Sequence, residues 1–132
     1  MDSTTHPPVR ILLVEDEELL REFAAESLRE EGFDVQAVGD GDAGLEVLQS
    51  NAPLDLLLSD IRLPGASGYE LAEAGRTLRP GLKMILMTGY APRLPTTLEL
   101  AVHCVLQKPF GIAALTGVIS AALASDSGAV PG

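Results

Sequence analysis

Ile11-Leu12-Leu13-Val14-Glu15-Asp16-Glu17-Glu18 is the stretch that decides the fold: four apolar residues run directly into four acids. A short apolar run without alternation reads as a strand buried on both faces, as in a parallel sheet. The pattern recurs at Leu54 to Leu58, which leads into Ser59-Asp60, and at Met84-Ile85-Leu86-Met87, which leads into Thr88-Gly89. It recurs again at Cys104-Val105-Leu106, ahead of Gln107-Lys108-Pro109-Phe110, and more weakly at Val35 to Val38.

Helical patterns separate the runs. Leu20, Phe23, Ala24, Ser27 and Leu28 fall on one stripe of a helix that stops at Gly32, a fitting C-terminal cap. A second helix is predicted over about Asp42–Ser50, with Ala43, Val47 and Leu48 inward and Pro53 beyond its end. A third covers about Gly68–Leu78 ahead of Pro80-Gly81, and a last one about Ile112–Ala124, with Ile112, Leu115, Ile119, Ala122 and Leu123 inward. Pro92 and Pro95 keep any helix between Thr88 and Cys104 short, starting after Pro95. Strand and helix thus alternate, which predicts an α/β domain: a doubly wound five-stranded parallel sheet with helices on both faces and a short or irregular fourth helix.

At 132 residues the chain fits one domain. Residues 10–124 are read as that domain, 1–9 as a flexible N-terminal segment and 125–132 as a disordered tail. Nine Lys+Arg against nineteen Asp+Glu leave a net charge of −10, which repels nucleic acid and anionic membrane surfaces. No apolar run approaches the roughly 20 residues that span a bilayer. The polar start from Met1 to Arg10 lacks the pattern of a secretory signal, so a cytoplasmic location is expected. Cys104 stands alone among Ala101, Val102, Val105 and Leu106 and reads as a buried structural thiol.

In an open parallel sheet, the loops at the carboxyl ends of the strands build the site. That rule gathers Glu15, Asp16, Asp60, Thr88 and Lys108. Carboxylates crowded at one edge need a compensating cation or raised pKa values. Oxygen-only donors without clustered Cys or His favour Mg²⁺ over zinc. With that ion and Lys108 at hand, a carboxylate could attack a phosphoryl group, and Asp60 is the best-placed nucleophile. Glu17 and Glu18 read instead as the acidic first turn of a helix, and Asp55 as a solvated cap.

Four blocks, in order and at those strand ends, carry a resemblance: Val14-Glu15-Asp16-Glu17; Asp55 to Asp60 with Ile61-Arg62-Leu63-Pro64-Gly65 and Gly68; Met87-Thr88-Gly89; and Lys108-Pro109-Phe110. Together they resemble the receiver domain of bacterial two-component response regulators, of the chemotaxis-regulator kind with a flavodoxin-like fold, over about Arg10 to Ala124. The resemblance implies that Asp60 accepts a phosphoryl group from a histidine kinase or phosphotransfer protein. It implies Mg²⁺, or Mn²⁺ in its place, on Asp16, Asp60 and the backbone carbonyl of Arg62, with Glu15 helping. Thr88 and Lys108 would meet the phosphoryl oxygens, and a cis Pro109 would hold the Lys108 loop. Such a domain is a phosphoacceptor and not a turnover enzyme. Its output would pass through contacts with a downstream protein, or it would act as a phosphate relay or sink.

Two departures stand out. The position three before Lys108, usually aromatic in the family, is Val105, so an aromatic switch cannot operate in its usual form. Thr88-Gly89-Tyr90 is similar to the Phe-Ala-Thr-Gly-Tyr motif of a stand-alone subset, although Leu86-Met87 replaces its first two residues. Tyr90 reads equally as a docking residue, a lid or an ordinary half-exposed aromatic. Other readings keep the fold: the receiver of a hybrid histidine kinase, a phosphate-independent interaction module, or a small-molecule binder or phosphohydrolase in the same crevice. An aspartyl phosphatase would want a second acid two residues after Asp60, where Arg62 stands, and few aromatics are present to stack a flavin.

Overall fold

The computed structural model describes residues 8–89, 98 and 101–124. In chain order the elements are β1 (Arg10–Val14), α1 (Glu18–Glu30), β2 (Asp34–Val38), α2 (Gly41–Gln49), β3 (Leu56–Asp60), α3 (Gly68–Leu78), β4 (Lys83–Thr88), β5 (Cys104–Gln107) and α4 (Ile112–Ala124). The strands form one parallel sheet in the order β2-β1-β3-β4-β5.

The apolar runs of β1, β3 and β4 are buried on both sides because successive side chains of a strand point to opposite faces. Ile11, Leu13, Leu56, Leu58, Ile85 and Met87 pack with Ala25 and Leu28 of α1 and with Leu115, Ile119 and Ala122 of α4. Leu12, Val14, Leu57, Met84 and Leu86 face the other way, onto Leu48 of α2 and onto Leu71 and Ala72 of α3. The expected doubly wound sheet with helices on both faces is what the chain forms.

Local chemistry sets the helix ends. The Asp40 side chain accepts from the Ala43 amide and starts α2, and Ser67 with Glu70 makes a capping box at the start of α3. Gly32, at φ +101, turns the chain out of α1 in a conformation that side chains rarely adopt.

Three expectations change. The third strand starts at Leu56 and not at Leu54, while Asp60 ends it and exposed Asp55 is a cap as read from the sequence, its Oδ2 accepting the Arg10 amide of the neighbouring strand at 2.8 Å. On α1 the inward residues are Ala25 and Leu28, while Leu20 is 42% and Phe23 63% exposed. Leu20 and Phe23 instead line a cleft beside α4. Cys104 is half-buried, since β5 is an edge strand. The expected fourth helix and Tyr90 fall largely outside the described residues. Leu98 is buried, and its carbonyl accepts from the amides of Ala101 and Val102.

Candidate functional site

The strand order reverses between β1 and β3: from β1 the chain crosses to β2 on one side and later to β3 on the other. A crevice opens at the carboxyl end of such a reversal. Glu15 follows β1 and Asp60 ends β3, so the two carboxyl groups face each other there. Both are buried, Glu15 being 4% and Asp60 5% exposed.

Lys108 reaches in from the end of β5. Its Nζ lies 2.8 Å from Glu15 Oε1 and 2.8 Å from Asp60 Oδ1. The loop that carries it is tied to the neighbouring strand, the Lys108 amide donating to the Thr88 carbonyl at 2.7 Å, and the Lys108–Pro109 peptide is cis. Thr88 is the last residue of β4, 6% exposed, and pairs in register with Gln107. Asp16 is exposed on the turn after β1, and Arg62 is exposed on the turn after β3.

One ammonium between two buried carboxyl groups cannot neutralise both. Burial, with the adjacent Glu15, pushes the Asp60 carboxyl up from 3.8 to about 7, against the pull of Lys108. Burial also penalises charge on Glu15, but hydrogen bonds from Asp60, Lys108 and the Glu17 amide outweigh it and hold Glu15 below its ordinary value. Lys108 is raised, since its two carboxyl partners outweigh its own burial. Burial and mutual repulsion thus oppose a second charge beside Lys108, and ionisation of Asp60 is favoured by any further positive partner.

Glu15, Asp16 and Asp60 each offer an oxygen, and these atoms lie within 4.8 Å of one another. Three hard oxygen donors sharing a net negative charge fit a divalent ion such as Mg²⁺.

The loop after Asp60 is built against a wall. Gly68 packs so closely on the Asp60 carbonyl and the Ile61 Cα that a side chain there would overlap main chain. Gly41 is pressed in the same way on Ala66, its amide donating to the Pro64 carbonyl at 2.9 Å. Gly65 adopts φ +75, and the Asp42 carboxylate accepts the Ala66 amide. Sequence reading had singled out Gly65 and Gly68 without this reason and had missed Gly41, Asp42 and the exposed apolar face of α1. The signal for the first two was the capping position of α2; for the last it was too many large apolar residues for one helix stripe.

Leu20 and Phe23 line a cleft of about 200 Å³ with Met87, Phe110 and Ile112, and Glu15 and Lys108 also line it. The cleft therefore leads from an exposed apolar helix face to the buried charges. Among the described residues no helix is long and apolar enough to cross a membrane.

A doubly wound domain with a carboxylate–ammonium cluster at its strand-order reversal defines an α/β binding domain of the flavodoxin-like kind. Comparison with known proteins narrows this: residues 11–120 match the family described as the response regulator receiver domain, and the chain belongs to that family. It is 39% identical over 82 residues to the response regulator receiver protein CpdR of Brucella abortus, covering 62% of this chain and 68% of CpdR. A CheY-like receiver domain protein of Methanospirillum hungatei superposes with a TM-score of 0.81 at 32% identity, covering 88% of this chain and 94% of that one. The response regulator TrrA of Thermotoga maritima, solved in complex with Mg(2+)-BeF, superposes with a TM-score of 0.72 at 30% identity, over 87% and 99% of the two chains. Several curated relatives are longer proteins, the chain spanning as little as 24% of the length of one of them.

Proposed function

We propose that this receiver domain takes a phosphoryl group onto Asp60 from a histidine kinase or phosphotransfer protein in a Mg²⁺-dependent step. The observation that carries the reading is Lys108 Nζ at 2.8 Å from both Glu15 Oε1 and Asp60 Oδ1, at the reversal of the strand order.

In the transfer, an Asp60 carboxylate oxygen forms a bond to phosphorus as the phosphorus–nitrogen bond of a phosphohistidine breaks, and the electron pair stays on the imidazole nitrogen. Asp60 must be ionised to attack, and since burial and the adjacent Glu15 raise its pKa, added positive charge favours the attacking form. Asp16, Asp60 and the Arg62 carbonyl, with Glu15, would hold Mg²⁺, or Mn²⁺ in its place; the bound ion supplies charge neutralisation for the acids and the phosphoryl oxygens. Lys108 would exchange its bond to Asp60 for an ion pair with a phosphoryl oxygen while keeping Glu15 as its second partner. The Thr88 hydroxyl would donate to another of these oxygens. Leu19, Leu20 and Phe23 give the phosphodonor protein an apolar surface beside the cleft.

Passing the phosphorylated state to a downstream protein, or passing the phosphate on as a relay or sink, completes the reading. Incubation with acetyl phosphate or phosphoramidate, with and without Mg²⁺, tests it by intact mass. Wild type should gain a phosphoryl group only with Mg²⁺, and Asp60→Asn should gain none. Equal labelling of Asp60→Asn would refute the assignment. No adduct on wild type, together with no beryllofluoride-induced change in its NMR spectrum, would favour a phosphate-independent interaction module.

A further inference from the structure

Arg21 lies in the first turn of α1, and its Nη1 donates a 3.0 Å hydrogen bond back to the main-chain carbonyl of Glu15. The Glu15 amide donates to the Val38 carbonyl at 3.1 Å, and Glu15 Oε2 accepts the Glu17 amide at 3.1 Å. Glu15 is thereby fixed through its N–H, its side chain and its C=O. The C=O belongs to the planar peptide that joins Glu15 to Asp16, so orienting that carbonyl orients the Cα of Asp16. Arg21 therefore helps to fix the peptide plane from which Asp16 departs.

Gly39, the residue after β2, lies against the same guanidinium. A Cβ there would stand 2.8 Å from Arg21 Nη1 and 3.4 Å from Cζ, and those are the nearest heavy atoms it would meet. A side chain at this position would have to displace the guanidinium from where it now lies.

We infer that Arg21 is a positioning residue for the cation site of Glu15, Asp16 and Asp60, held in place by the absence of a side chain at Gly39. The inference rests on the receiver reading above and adds two residues to it. A guanidinium bonded to the main chain of Glu15 also repels a divalent cation held by that residue's carboxylate, so a purely electrostatic role would make Arg21→Ala bind Mg²⁺ more tightly. Positioning predicts the opposite sign, because loss of an outer support loosens the ligands it orients.

The test is Mg²⁺ titration of the full chain, followed by amide chemical shifts, for wild type, Arg21→Ala, Arg21→Lys, Gly39→Ala and the Arg21→Ala/Gly39→Ala pair. Arg21→Ala should weaken Mg²⁺ binding about tenfold, the low end for loss of an outer-shell support. Arg21→Lys, which keeps a donor within reach, should recover most of that. Gly39→Ala should weaken binding in the same direction, and the pair should bind no more weakly than Arg21→Ala, since both changes remove one hydrogen bond. If Arg21→Ala fails to fold, Gly39→Ala carries the test, because the atoms its methyl meets are the far end of a flexible side chain. Wild-type or tighter affinity in Arg21→Ala, or in Gly39→Ala where that variant stands alone, would overturn the inference and leave the receiver reading intact. Absence of Mg²⁺ binding by wild type would overturn both.

Discussion

Replacing Asp60 by Asn should stabilise the ion-free protein at pH 8 while abolishing its chemistry. In the folded chain the Asp60 carboxyl titrates at about 7 against an ordinary 3.8, because burial and Glu15 disfavour its charge. Roughly three pH units at ~1.36 kcal/mol each place an upper bound of ~4 kcal/mol on what the Asp60 carboxylate costs the fold at pH 8. That bound already includes the pull of Lys108, and relaxation and water penetration at this site reduce it, so a net gain of about 1–2 kcal/mol is expected. Between pH 4 and 7, approximately, the folded chain binds a proton at Asp60 that the unfolded chain has released. Wild type therefore loses stability as pH rises through that window, whereas Asn does not titrate. Thermal unfolding in EDTA, followed by far-UV circular dichroism, should place the variant about 3–10 °C above wild type at pH 8. The gap should close as pH is lowered towards ~4 and stay level above the folded pKa. A variant that melts at or below wild type at pH 8, or a gap indifferent to pH, would refute the reasoning.

Lys108→Ala removes the ammonium shared by two buried carboxyl groups and should destabilise the ion-free protein by about 1–3 kcal/mol at pH 8 in the same melts; an unchanged midpoint would count against the bridging role. Gly68→Ala forces a methyl into the Asp60 carbonyl and Ile61 main chain, so it should cost about 2–4 kcal/mol and slow labelling by acetyl phosphate, which urea titration and intact mass would read. Leu58→Ala, at the centre of the sheet, should cost about 2–5 kcal/mol in urea unfolding. Mg²⁺ should raise the melting point of wild type with concentration, and less so that of Asp16→Asn; equal shifts would remove Asp16 from the ion's ligands.

The sheet was legible because fully buried strands leave apolar runs that admit few other readings, and the helix stops at Gly32 and before Pro80 follow from backbone chemistry alone. The gathering of Glu15, Asp60 and Lys108 was legible for the same reason: once the strands are parallel, their carboxyl ends must converge. The orientation of α1 was not. Leu20, Phe23, Ala24 and Leu28 satisfy helical spacing equally well for a stripe turned towards the sheet or rotated towards the cleft, and only packing against β1 and α4 selects between them. Arg21 was equally hidden, because a surface arginine and one that returns to a main-chain carbonyl look alike in sequence.

The chemistry-bearing groups all gather at one rim of the sheet, and the opposite rim is made of plain turns. Pro80-Gly81 is exposed there, and a side chain added at Gly81 would meet nothing within 4 Å. For protein engineering this separates the handle from the machine. A fluorescent reporter, an affinity tag or a new pair of termini at Pro80-Gly81 should leave the acid-bearing rim untouched, so the domain can be built into larger assemblies from its blind side.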